Sequence, residues 1–503
     1  MQTGPSYRNL QGDSCSAGVR KRNMTLMDSS RLSVPQSRPD ESSARDFLAS
    51  AGRRRPGAGT PKYLGLVEAL EAGVRQGALV PGVQLPAQRD LAALFGTTVA
   101  TVTKAVAEAA RRGIVVARSG SGTFVAPSQS TPAQDAWSDL SLNIPPASLS
   151  AEWVAASLRR VTQRQSWSEL IDYAPVAGSV VNRAAGAALF GARGVAAPTE
   201  QVLVTQGAHH GLLVALMATT RPGDSVACEW LNYSGLRRIA ELLQLKLVGI
   251  ECDSDGMVIS ALRSRLRQSG IKAVVCTPSG HNPTSYTLSE RRRVELVRLA
   301  RSASVPIIED DIYGLLAGEG WPAIAALWPE GTICVTSLSK CVAPGLRVGY
   351  SLCPPGLMSR SRDALLALGW TESSLQAALA TDLIQSGALS QCVSRHQAEA
   401  RERVALAFRL LPAGSIQTSA DAVSYHVWVA TDHAKSDQIA AELSRRGILV
   451  SPAAHFVMDG LEPPDALRVA LGGPARAVGL EAPLRELASV MRDGQPRLTG
   501  SIV

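Results

Sequence analysis

The stretch Val335-Thr-Ser-Leu-Ser-Lys340-Cys-Val-Ala-Pro-Gly-Leu-Arg347-Val-Gly-Tyr350 decides the fold and the chemistry expected of this chain. It continues an apolar, β-branched run that includes Ile333 and Val335, which predicts a buried strand. The strand leads into a hydroxyl-rich turn that carries a single lysine. A lysine partly removed from water loses its proton more readily, so Lys340 is a candidate to form a Schiff base with a carbonyl compound.

The residues around this lysine suggest a binding place for a phosphate group. Ser337 and Ser339 offer hydroxyl donors and Arg347 offers a forked cation. A lysine beside a phosphate clamp is an arrangement that anchors pyridoxal 5'-phosphate (PLP). Taken alone, the stretch fits a surface lysine in a serine-rich turn about equally well. Ser337-x-x-Lys340 also fits the motif of serine β-lactamases, but no Ser-Asp-Asn or Lys-Thr-Gly follows it, which disfavours that reading.

Length and charge predict more than one domain and a polyanionic partner. A chain of 503 residues is too long for one ordinary core, so two or three domains are expected. Its formal net charge is +8, and residues 1 to 130 hold 17 basic against 9 acidic residues. The excess of positive charge therefore lies in the first quarter of the chain, where it favours binding to a polyanion.

The cysteines and the hydropathy pattern indicate a cytoplasmic protein. The eight cysteines include no C-x-x-C pair and lie mostly in apolar runs, which is typical of reduced core residues. No metal site is expected. No apolar run approaches the roughly 18 residues needed to span a bilayer, and the N-terminus lacks the apolar core of a signal peptide. We expect no association with membranes.

The N-terminal quarter divides into a tail and a small helical domain. Residues 1–57 are rich in Ser, Arg, Gly and Pro without a sustained period, which predicts a disordered basic tail. Residues 58–126 show three short amphipathic helices and two β runs around a glycine-rich turn. Helix, glycine turn and helix form a helix-turn-helix, and the β runs read as a wing. A three-helix unit is more often plain packing, but the wing and the local positive charge favour DNA binding.

Three segments of this domain resemble the winged helix-turn-helix of the GntR family: Leu79–Ala92, Gly96–Val106 and Gly120–Val125. The resemblance implies binding to a double-stranded DNA operator. It also implies that the following residues approach the DNA: Arg89, Thr98, Thr101 and Arg118. The chain has valine at position 99, where the recognition helix of this family usually carries an arginine. Lys104 is expected to compensate partly for that loss.

The remainder of the chain predicts a linker followed by a large α/β domain. Residues 127–150 contain Pro127, Pro132, Pro145 and Pro146 and are expected to form an extended linker. Residues 151–503 alternate apolar strands, at 202–205, 272–276, 305–308, 332–335 and 346–350, with helices at 209–219, 234–244 and 288–302. Such alternation predicts a mostly parallel sheet that binds ligands at the carboxyl ends of its strands.

Several predicted strands end in a chemically useful residue. The segment Gly207-Ala208-His209 opens a helix whose free N–H groups can hold a phosphate. Tyr233 can stack on a pyridine ring, although a half-buried core tyrosine is an equally good reading. Asn282 and Tyr313 can donate to a phenolate oxygen. Asp310 would be costly to bury unpaired, and a protonated pyridine nitrogen is a suitable partner that keeps the ring an electron sink.

The order and spacing of these residues resemble a fold type I PLP aminotransferase over roughly residues 140 to 485. The resemblance implies that Lys340 holds the cofactor, Asp310 pairs with the ring nitrogen, Tyr233 stacks on the ring, and Asn282 and Tyr313 bind the phenolate oxygen. Assigned to the phosphate are the following residues: Gly207, Ala208, Ser337, Ser339 and Arg347. His209 lies next to them where a glutamine or small polar residue is common. The resemblance also gives Tyr173 to the phosphate of a partner subunit and Arg468 to an amino-acid carboxylate.

The whole architecture resembles the MocR subfamily of GntR regulators, in which a winged helix precedes an aminotransferase-like domain with a small C-terminal α+β part. This implies a homodimer that binds operator DNA, holds PLP and responds to PLP, an amino acid or an amine, with slow turnover if any. Two other functions stay open. One is an active aminotransferase of an amino acid with a 2-oxo acid, and the other is a plain DNA-binding repressor whose large domain only dimerises.

Overall fold

The computed structural model describes most of the chain as two units. The described residues are 41–52, 61–75, 78–80, 82–118, 122–126, 138–268, 270–318, 320–431, 436–458, 460–474 and 477–493. The chain divides between Pro132 and Ala133 into an N-terminal and a C-terminal unit. Each unit has its own buried apolar core, so each is described by itself.

The strands are numbered in chain order: β1 (Val115–Arg118), β2 (Gly122–Val125), β3 (Ser138–Asp139), β4 (Val202–Thr205), β5 (Ser225–Glu229), β6 (Lys246–Ile250), β7 (Cys252–Asp253), β8 (Gly256–Met257), β9 (Ile271–Cys276), β10 (Ile307–Asp310), β11 (Thr332–Ser337), β12 (Gly349–Leu352), β13 (His426–Ala430), β14 (Ile448–Leu449), β15 (Ser451–Pro452) and β16 (Ala466–Ala470).

The helices are numbered likewise: α1 (Glu41–Gly52), α2 (Lys62–Arg75), α3 (Gln88–Leu94), α4 (Val99–Arg111), α5 (Ala151–Arg164), α6 (Trp167–Ile171), α7 (Val180–Gly191), α8 (Ala208–Thr219), α9 (Ser234–Leu242), α10 (Ile259–Gln268), α11 (Glu290–Ser302), α12 (Gly314–Ala317), α13 (Ile324–Leu327), α14 (Met358–Gly369), α15 (Ser374–Gln385), α16 (Ala388–Leu410), α17 (Ser436–Arg445) and α18 (Glu481–Asp493).

The N-terminal unit is a helix-turn-helix with a two-stranded wing. Gly96, with a φ of +55°, makes the turn between α3 and α4 in a left-handed conformation that glycine adopts without strain. The hydroxyl of Thr98 then caps α4 by accepting from the backbone N–H of Thr101 at 3.3 Å. The β1 and β2 strands pair antiparallel. Apolar residues from α2, α3, α4 and both strands form one core, as the helical periodicity predicts.

The expected disordered tail is too long at its C-terminal end. Residues 41–52 form α1, and Leu48 is fully buried in the core of the N-terminal unit, with Phe47 packed against it. Two adjacent apolar side chains can bury against an existing core even when the surrounding sequence has no helical period. Residues 1–40 and 53–60 lie outside the described residues, so the prediction for them stays a prediction.

The C-terminal unit is built on a seven-stranded sheet in the order β4, β12, β11, β10, β9, β5, β6. The pairs among β11, β10, β9, β5 and β6 are parallel, and β12 pairs antiparallel with both β11 and β4. Buried apolar clusters cover the sheet, with α8 and α14 in one of them and α11 and α13 in another. The predicted mostly parallel α/β sheet is therefore confirmed.

Two of the predicted strands are displaced along the chain. The strand expected at 305–308 is β10 at Ile307–Asp310, because Val305 still bonds back to α11 and Pro306 has no N–H to donate to the sheet. The strand expected at 346–350 is β12 at Gly349–Leu352. It is displaced because Pro344–Leu346 form a short 3-10 helix and Arg347 takes a left-handed backbone with a φ of +50°.

A smaller three-stranded sheet, in the order β13, β16, β15, carries the C-terminal part of the chain. Its core includes Val427 and Val469 from the sheet and Leu484 and Leu487 from α18, all fully buried. These elements form the small C-terminal α+β part expected from the resemblance.

The expected linker, 127–150, ends earlier than its composition suggests. Residues 127–137 lie outside the described residues, but from Ser138 onward the chain is part of the C-terminal unit. The β3 strand pairs in parallel with β14, and Leu140 is fully buried in the core of the smaller sheet. The prolines predicted a linker here, whereas the apolar side chains of Leu140 and Ile144 allow the segment to pack against a core. Through the described part of the chain, no helix is long and apolar enough to cross a membrane.

Candidate functional site

A cavity of about 150 Å³ lies at the carboxyl ends of the strands in the large sheet. It is lined by both predicted and unpredicted residues: Ala208, His209, Leu212, Tyr233, Thr277, Asn282, Asp310, Ile312, Tyr313, Ser339, Lys340, Pro344 and Arg347. The turns that follow β4, β9, β10 and β11 supply most of them. Parallel strands place such turns at one edge of the sheet, which is why residues distant in sequence meet here.

Lys340 lies in the turn after β11 with its ammonium group inside this cavity. Its Nζ donates a hydrogen bond to the backbone carbonyl of Asn143 and lies 5.4 Å from the centre of the Tyr313 ring. Burial, with help from the positive charge of Arg468, lowers the pKa of Lys340 to about 7, while Asp310 acts in the opposite direction. A large share of the neutral amine is therefore present at physiological pH.

Of the three consecutive acidic residues Glu309, Asp310 and Asp311, Asp310 is the one with a carboxyl oxygen available to a ligand. Its neighbour Glu309 accepts from the backbone N–H groups of Ile324 and Ala325 at 2.7 and 2.8 Å. Asp311 is paired with Arg193 at 2.9 Å. The Oδ1 of Asp310 is buried and has no hydrogen-bond partner among the residues described. Burial, and then the charge of Asp311, raise the pKa of Asp310 to about 7.

Three further side chains surround the space between Lys340 and Asp310. Tyr313 is buried, and burial strongly raises its pKa, so its hydroxyl keeps its proton. Asn282 accepts from Arg468 through Oδ1 at 3.1 Å, so its N–H groups remain for a ligand. Tyr233 is half-buried, with its ring edge-on to His209 at 6.0 Å. The two rings, the amide and Asp310 line the same cavity.

Residues at and beside the cavity also offer donors suited to a phosphate. Gly207, with a φ of +85°, precedes Ala208 at the start of α8, and a Cβ built at Gly207 would lie 3.2 Å from a guanidinium nitrogen of Arg347. Glycine therefore lets that guanidinium approach the helix start, where backbone N–H groups are free. Ser337 donates to the hydroxyl of Ser339 at 2.9 Å, and Ser339 lines the cavity.

Arg468, on β16, is buried at 6% exposure next to the cavity. Its guanidinium donates to the backbone carbonyl of Ser141 and, at 3.3 Å, to the hydroxyl of Ser451. Its Nε is buried without a partner in the described structure. Burial lowers the pKa of Arg468 to about 10, so the side chain is still a cation at neutral pH.

The residues that the sequence reasoning missed are Asn143 and His426. The Asn143 side-chain nitrogen lies 2.5 Å from the hydroxyl oxygen of Tyr313 and 2.8 Å from Nδ1 of His426. His426 is fully buried on β13. Asn143 was missed because it falls in the supposed linker, and the signal that the segment could pack is the pair of apolar residues Leu140 and Ile144.

Tyr173 is a predicted site residue that does not line the cavity. It is 79% exposed and follows α6. Its expected role concerns the phosphate of a partner subunit, so that role stays a prediction.

The residues present fit PLP. The unpartnered, buried Oδ1 of Asp310 suits a protonated ring nitrogen, and the amine of Lys340 suits the aldehyde. The start of α8 with Arg347 and Ser339 suits the phosphate dianion. Tyr313 and the amide of Asn282 can donate to a phenolic oxygen. These groups line one cavity.

The predicted DNA-contacting residues lie on α3, α4 and β1. Arg89 on α3 is exposed, and Thr98 and Thr101 join hydroxyls at 2.9 Å at the start of α4. Lys104 is exposed, with its ammonium 4.4 Å from the centre of the Tyr63 ring.

Two other positions complete this surface. Val99, at the first position of α4, is 44% exposed, which fits a position where a DNA contact is expected. Arg118 ends β1, but its side chain lies outside the described residues. Thr98, Thr101 and Lys104 therefore lie together near the start of α4. The contribution of the wing stays a prediction.

Two family models match the chain. The model of aminotransferase class I and II matches residues 136–478, and the model of bacterial regulatory proteins of the gntR family matches residues 62–125. The first match starts just before β3, in agreement with the packing of residues 138–150 into the C-terminal unit. Together the two matches cover both described units.

Curated relatives match more than half of this chain. The uncharacterized HTH-type transcriptional regulator YdeF of Bacillus subtilis is 28% identical over 447 residues, which cover 86% of this chain and 95% of that protein. The HTH-type pyridoxine biosynthesis transcriptional regulator PdxR of Corynebacterium glutamicum is 29% identical over 301 residues, covering 58% of this chain and 65% of that protein.

Solved structures match the C-terminal fold. The multiple substrate aminotransferase of Thermococcus profundus superposes with a TM-score of 0.65 at 18% identity, covering 72% of this chain and 93% of that chain. At this identity the match supports the fold of the C-terminal unit.

Proposed function

Because the chain belongs to the aminotransferase class I and II family and carries a gntR-family domain in front of it, we propose that it is a DNA-binding transcriptional regulator that holds PLP and responds to PLP, an amino acid or an amine. The aminotransferase class I and II family is PLP-dependent. The match to full-length regulators such as YdeF supports the regulatory reading over that of a free-standing enzyme. The arrangement agrees with the MocR subfamily.

The observation that carries the proposal is the unpaired, buried carboxyl oxygen of Asp310, which faces the same cavity as the amine of Lys340. A buried acceptor without a partner destabilises a fold unless a ligand completes it. When bound, PLP supplies a reactive aldehyde and an electron-withdrawing ring. Asp310 would hold the ring proton, Tyr313 would donate to the phenolic oxygen, and the start of α8 would bind the phosphate.

The contacts of Arg468 suggest how a ligand is sensed. A carboxylate that binds the guanidinium fork of this arginine would compete with the backbone carbonyl of Ser141. Lys340 likewise donates to the carbonyl of Asn143, so both cations of the site hold the same segment, residues 138–146. That segment is continuous in sequence with residues 127–137, which lead back to the N-terminal unit. Ligands that change these two contacts can therefore alter operator affinity, by a coupling of roughly 1 to 3 kcal/mol.

The homodimer in this proposal is supported by an exposed apolar surface on the C-terminal unit. The surface consists of large side chains in or beside α6, α7 and α14, all more than half exposed: Trp167, Ile171, Tyr173, Val180, Val181 and Trp370. Tyr173 and Val181 of this set line one surface depression, and exposed apolar side chains that lie together favour a protein interface. Ile171→Glu should shift the protein towards monomer in sedimentation equilibrium, while Leu242→Glu, at an exposed position on α9, should not.

The proposal is tested by measuring operator affinity with and without PLP across a panel of amino acids and amines. We expect a several-fold change in wild type that is absent in Lys340→Ala. Equal operator affinity under every condition, in a protein that still holds PLP, would contradict the regulatory role.

A second function, amino-acid transamination, is favoured by the presence of a full set of groups around Lys340. Rapid formation of a 2-oxo acid by the purified protein, together with operator affinity that ignores PLP, would favour this enzyme over the regulator. We expect turnover to be slow, because the helix start beside the phosphate site carries His209 and the Asn282 turn continues with Ser285.

A further inference from the structure

Asn143 contacts both Lys340 and Tyr313. Its backbone carbonyl accepts from Lys340 Nζ, and its side-chain nitrogen contacts Tyr313 at 2.5 Å. The side chain is buried at 9% exposure. It comes from residues 138–146, whereas Lys340 and Tyr313 follow β11 and β10, so no local sequence pattern joins the three residues.

The orientation of the Asn143 amide is set by His426. The Nε2 of His426 lies 3.1 Å from the carbonyl oxygen of His281, which can only accept, so Nε2 carries the proton. Burial lowers the pKa of His426 well below its usual value, and the ring is neutral. Nδ1 is then an acceptor, and the Asn143 atom 2.8 Å from it must be the N–H donor.

The second N–H of the same amide donates to the hydroxyl oxygen of Tyr313. No other hydrogen-bond partner of that oxygen lies among the residues described, so the proton of Tyr313 is free to be donated into the cavity that its side chain lines. A hydroxyl that accepts one hydrogen bond becomes a stronger donor in the next. The chain from His281 through His426 and Asn143 thus determines what Tyr313 offers to a ligand.

We propose that Asn143 is a positioning residue: its side chain directs the hydroxyl of Tyr313 into the cavity as a donor, while its carbonyl holds the amine of Lys340. This rests on the proposed binding of PLP at the site. Asn143 acts through these two residues. Its effect on bound PLP therefore passes through Tyr313 at the phenolic oxygen and through Lys340 at the aldehyde.

The expected signature is the pH at which the PLP chromophore changes its absorbance. A strong donor at the phenolic oxygen withdraws electron density and lowers the affinity of the neighbouring Lys340 nitrogen for a proton. The charged and titratable groups that face this nitrogen are Asp310, Arg468, Tyr313 and His426. With the other three unchanged, weakening the donor should raise the pH midpoint.

The experiment compares the PLP-loaded, full-length wild type with Asn143→Ala, Tyr313→Phe and the double variant. We expect Asn143→Ala to raise the midpoint by roughly half to one pH unit, which is the effect of one hydrogen bond. Tyr313→Phe should raise it further, and adding Asn143→Ala to Tyr313→Phe should change it little. Asn182→Ala, at a buried asparagine elsewhere in the unit, is the control and should leave the midpoint unchanged.

A second variant is used if Asn143→Ala folds poorly. Asn143→Asp keeps the size of the side chain but turns it into an acceptor, so it should draw the Tyr313 proton away from the cavity and raise the midpoint further. An unchanged midpoint in the folded Asn143 variants, or shifts that add fully to that of Tyr313→Phe, would overturn the positioning role alone. A wild type without a borohydride-reducible chromophore would overturn this proposal and the PLP-binding function together.

Discussion

The cavity in the C-terminal unit and the helix-turn-helix of the N-terminal unit differ in how exposed their charged groups are. In the cavity, burial brings the pKa values of Lys340 and Asp310 to about 7 from opposite directions. On the helix-turn-helix, Arg89 and Lys104 are exposed to solvent.

The difference separates two kinds of recognition. Buried groups respond strongly to pH and to a ligand that completes their hydrogen bonds, because little water screens them. Exposed cations bind phosphates through charge that salt screens. The first region suits a small ligand of defined chemistry, and the second suits the backbone of DNA. Variants in the cavity should therefore change PLP binding, and variants on the helix-turn-helix should change DNA binding.

The largest effect is expected for a variant that removes the bond to PLP in the cavity and leaves the helix-turn-helix unchanged. Lys340→Ala should abolish the borohydride-reducible chromophore of the PLP-loaded protein, because the amine that bonds to the aldehyde is removed. Folding should change little, since the side chain faces a cavity. Absorbance before and after borohydride measures the loss, with Lys246→Ala, at an exposed lysine on β6, as the control. A covalent chromophore that survives in Lys340→Ala would rule out this lysine as the anchor.

The next effect concerns the segment that joins the two regions. Leu140→Ala should reduce the free energy of unfolding of the C-terminal unit by about 2 to 5 kcal/mol, as expected for a fully buried leucine. Leu142→Ala is the matched control, because Leu142 is 53% exposed only two residues away. Urea denaturation measures both. Equal, small effects would mean that residues 138–146 form a loose linker after all.

A smaller effect is expected at the DNA-binding surface. Arg89→Ala combined with Lys104→Ala should lower operator affinity and reduce the slope of log affinity against log salt by roughly 0.9 for each lost phosphate contact. The PLP chromophore should be unaffected. Arg291→Ala, at an exposed arginine on α11, is the control. An unchanged salt slope would place the phosphate contacts on other residues.

The smallest effect is a pH dependence of the PLP-free protein. The raised pKa of Asp310 makes stability fall as pH rises from about 4 to 7, since the folded state then binds more protons than the unfolded state. The lowered pKa of Lys340 makes stability rise again from about pH 7 towards 10. Each slope should stay below about 1.4 kcal/mol per pH unit.

Thermal unfolding across pH measures this dependence as the difference between wild type and each single variant, because Glu309 and His396 also have shifted pKa values. Asp310→Asn should remove the fall in stability that Asp310 contributes between about pH 4 and 7, and Lys340→Met the rise that Lys340 contributes above about pH 7. PLP should reduce both differences. Variants with the same pH profile as wild type would show that water reaches both groups.

Much of the cavity could be predicted from sequence because each contributing residue lies next to a recognisable strand or turn. Lys340 follows a β-branched run, Asp310 ends another, and Gly207 precedes a helix. Arg468 was assigned from the resemblance, but its contact with Ser141 could not be foreseen, since the two residues are far apart in sequence. Strand limits near Arg347 were also wrong, because its left-handed backbone is a property of the folded turn.

The sequence by itself determined the two-part architecture, the mostly parallel sheet and the identity of most of the residues that line the cavity, because hydrophobic period and turn chemistry are local. Tertiary structure alone decided that residues 41–52 and 138–150 pack as parts of the two units. It also decided that Asn143 meets Lys340, Tyr313 and His426, and that one carboxyl oxygen of Asp310 is left without a partner while Glu309 and Asp311 are paired. Burial and hydrogen-bond pairing depend on which distant surfaces meet, and no local pattern records that.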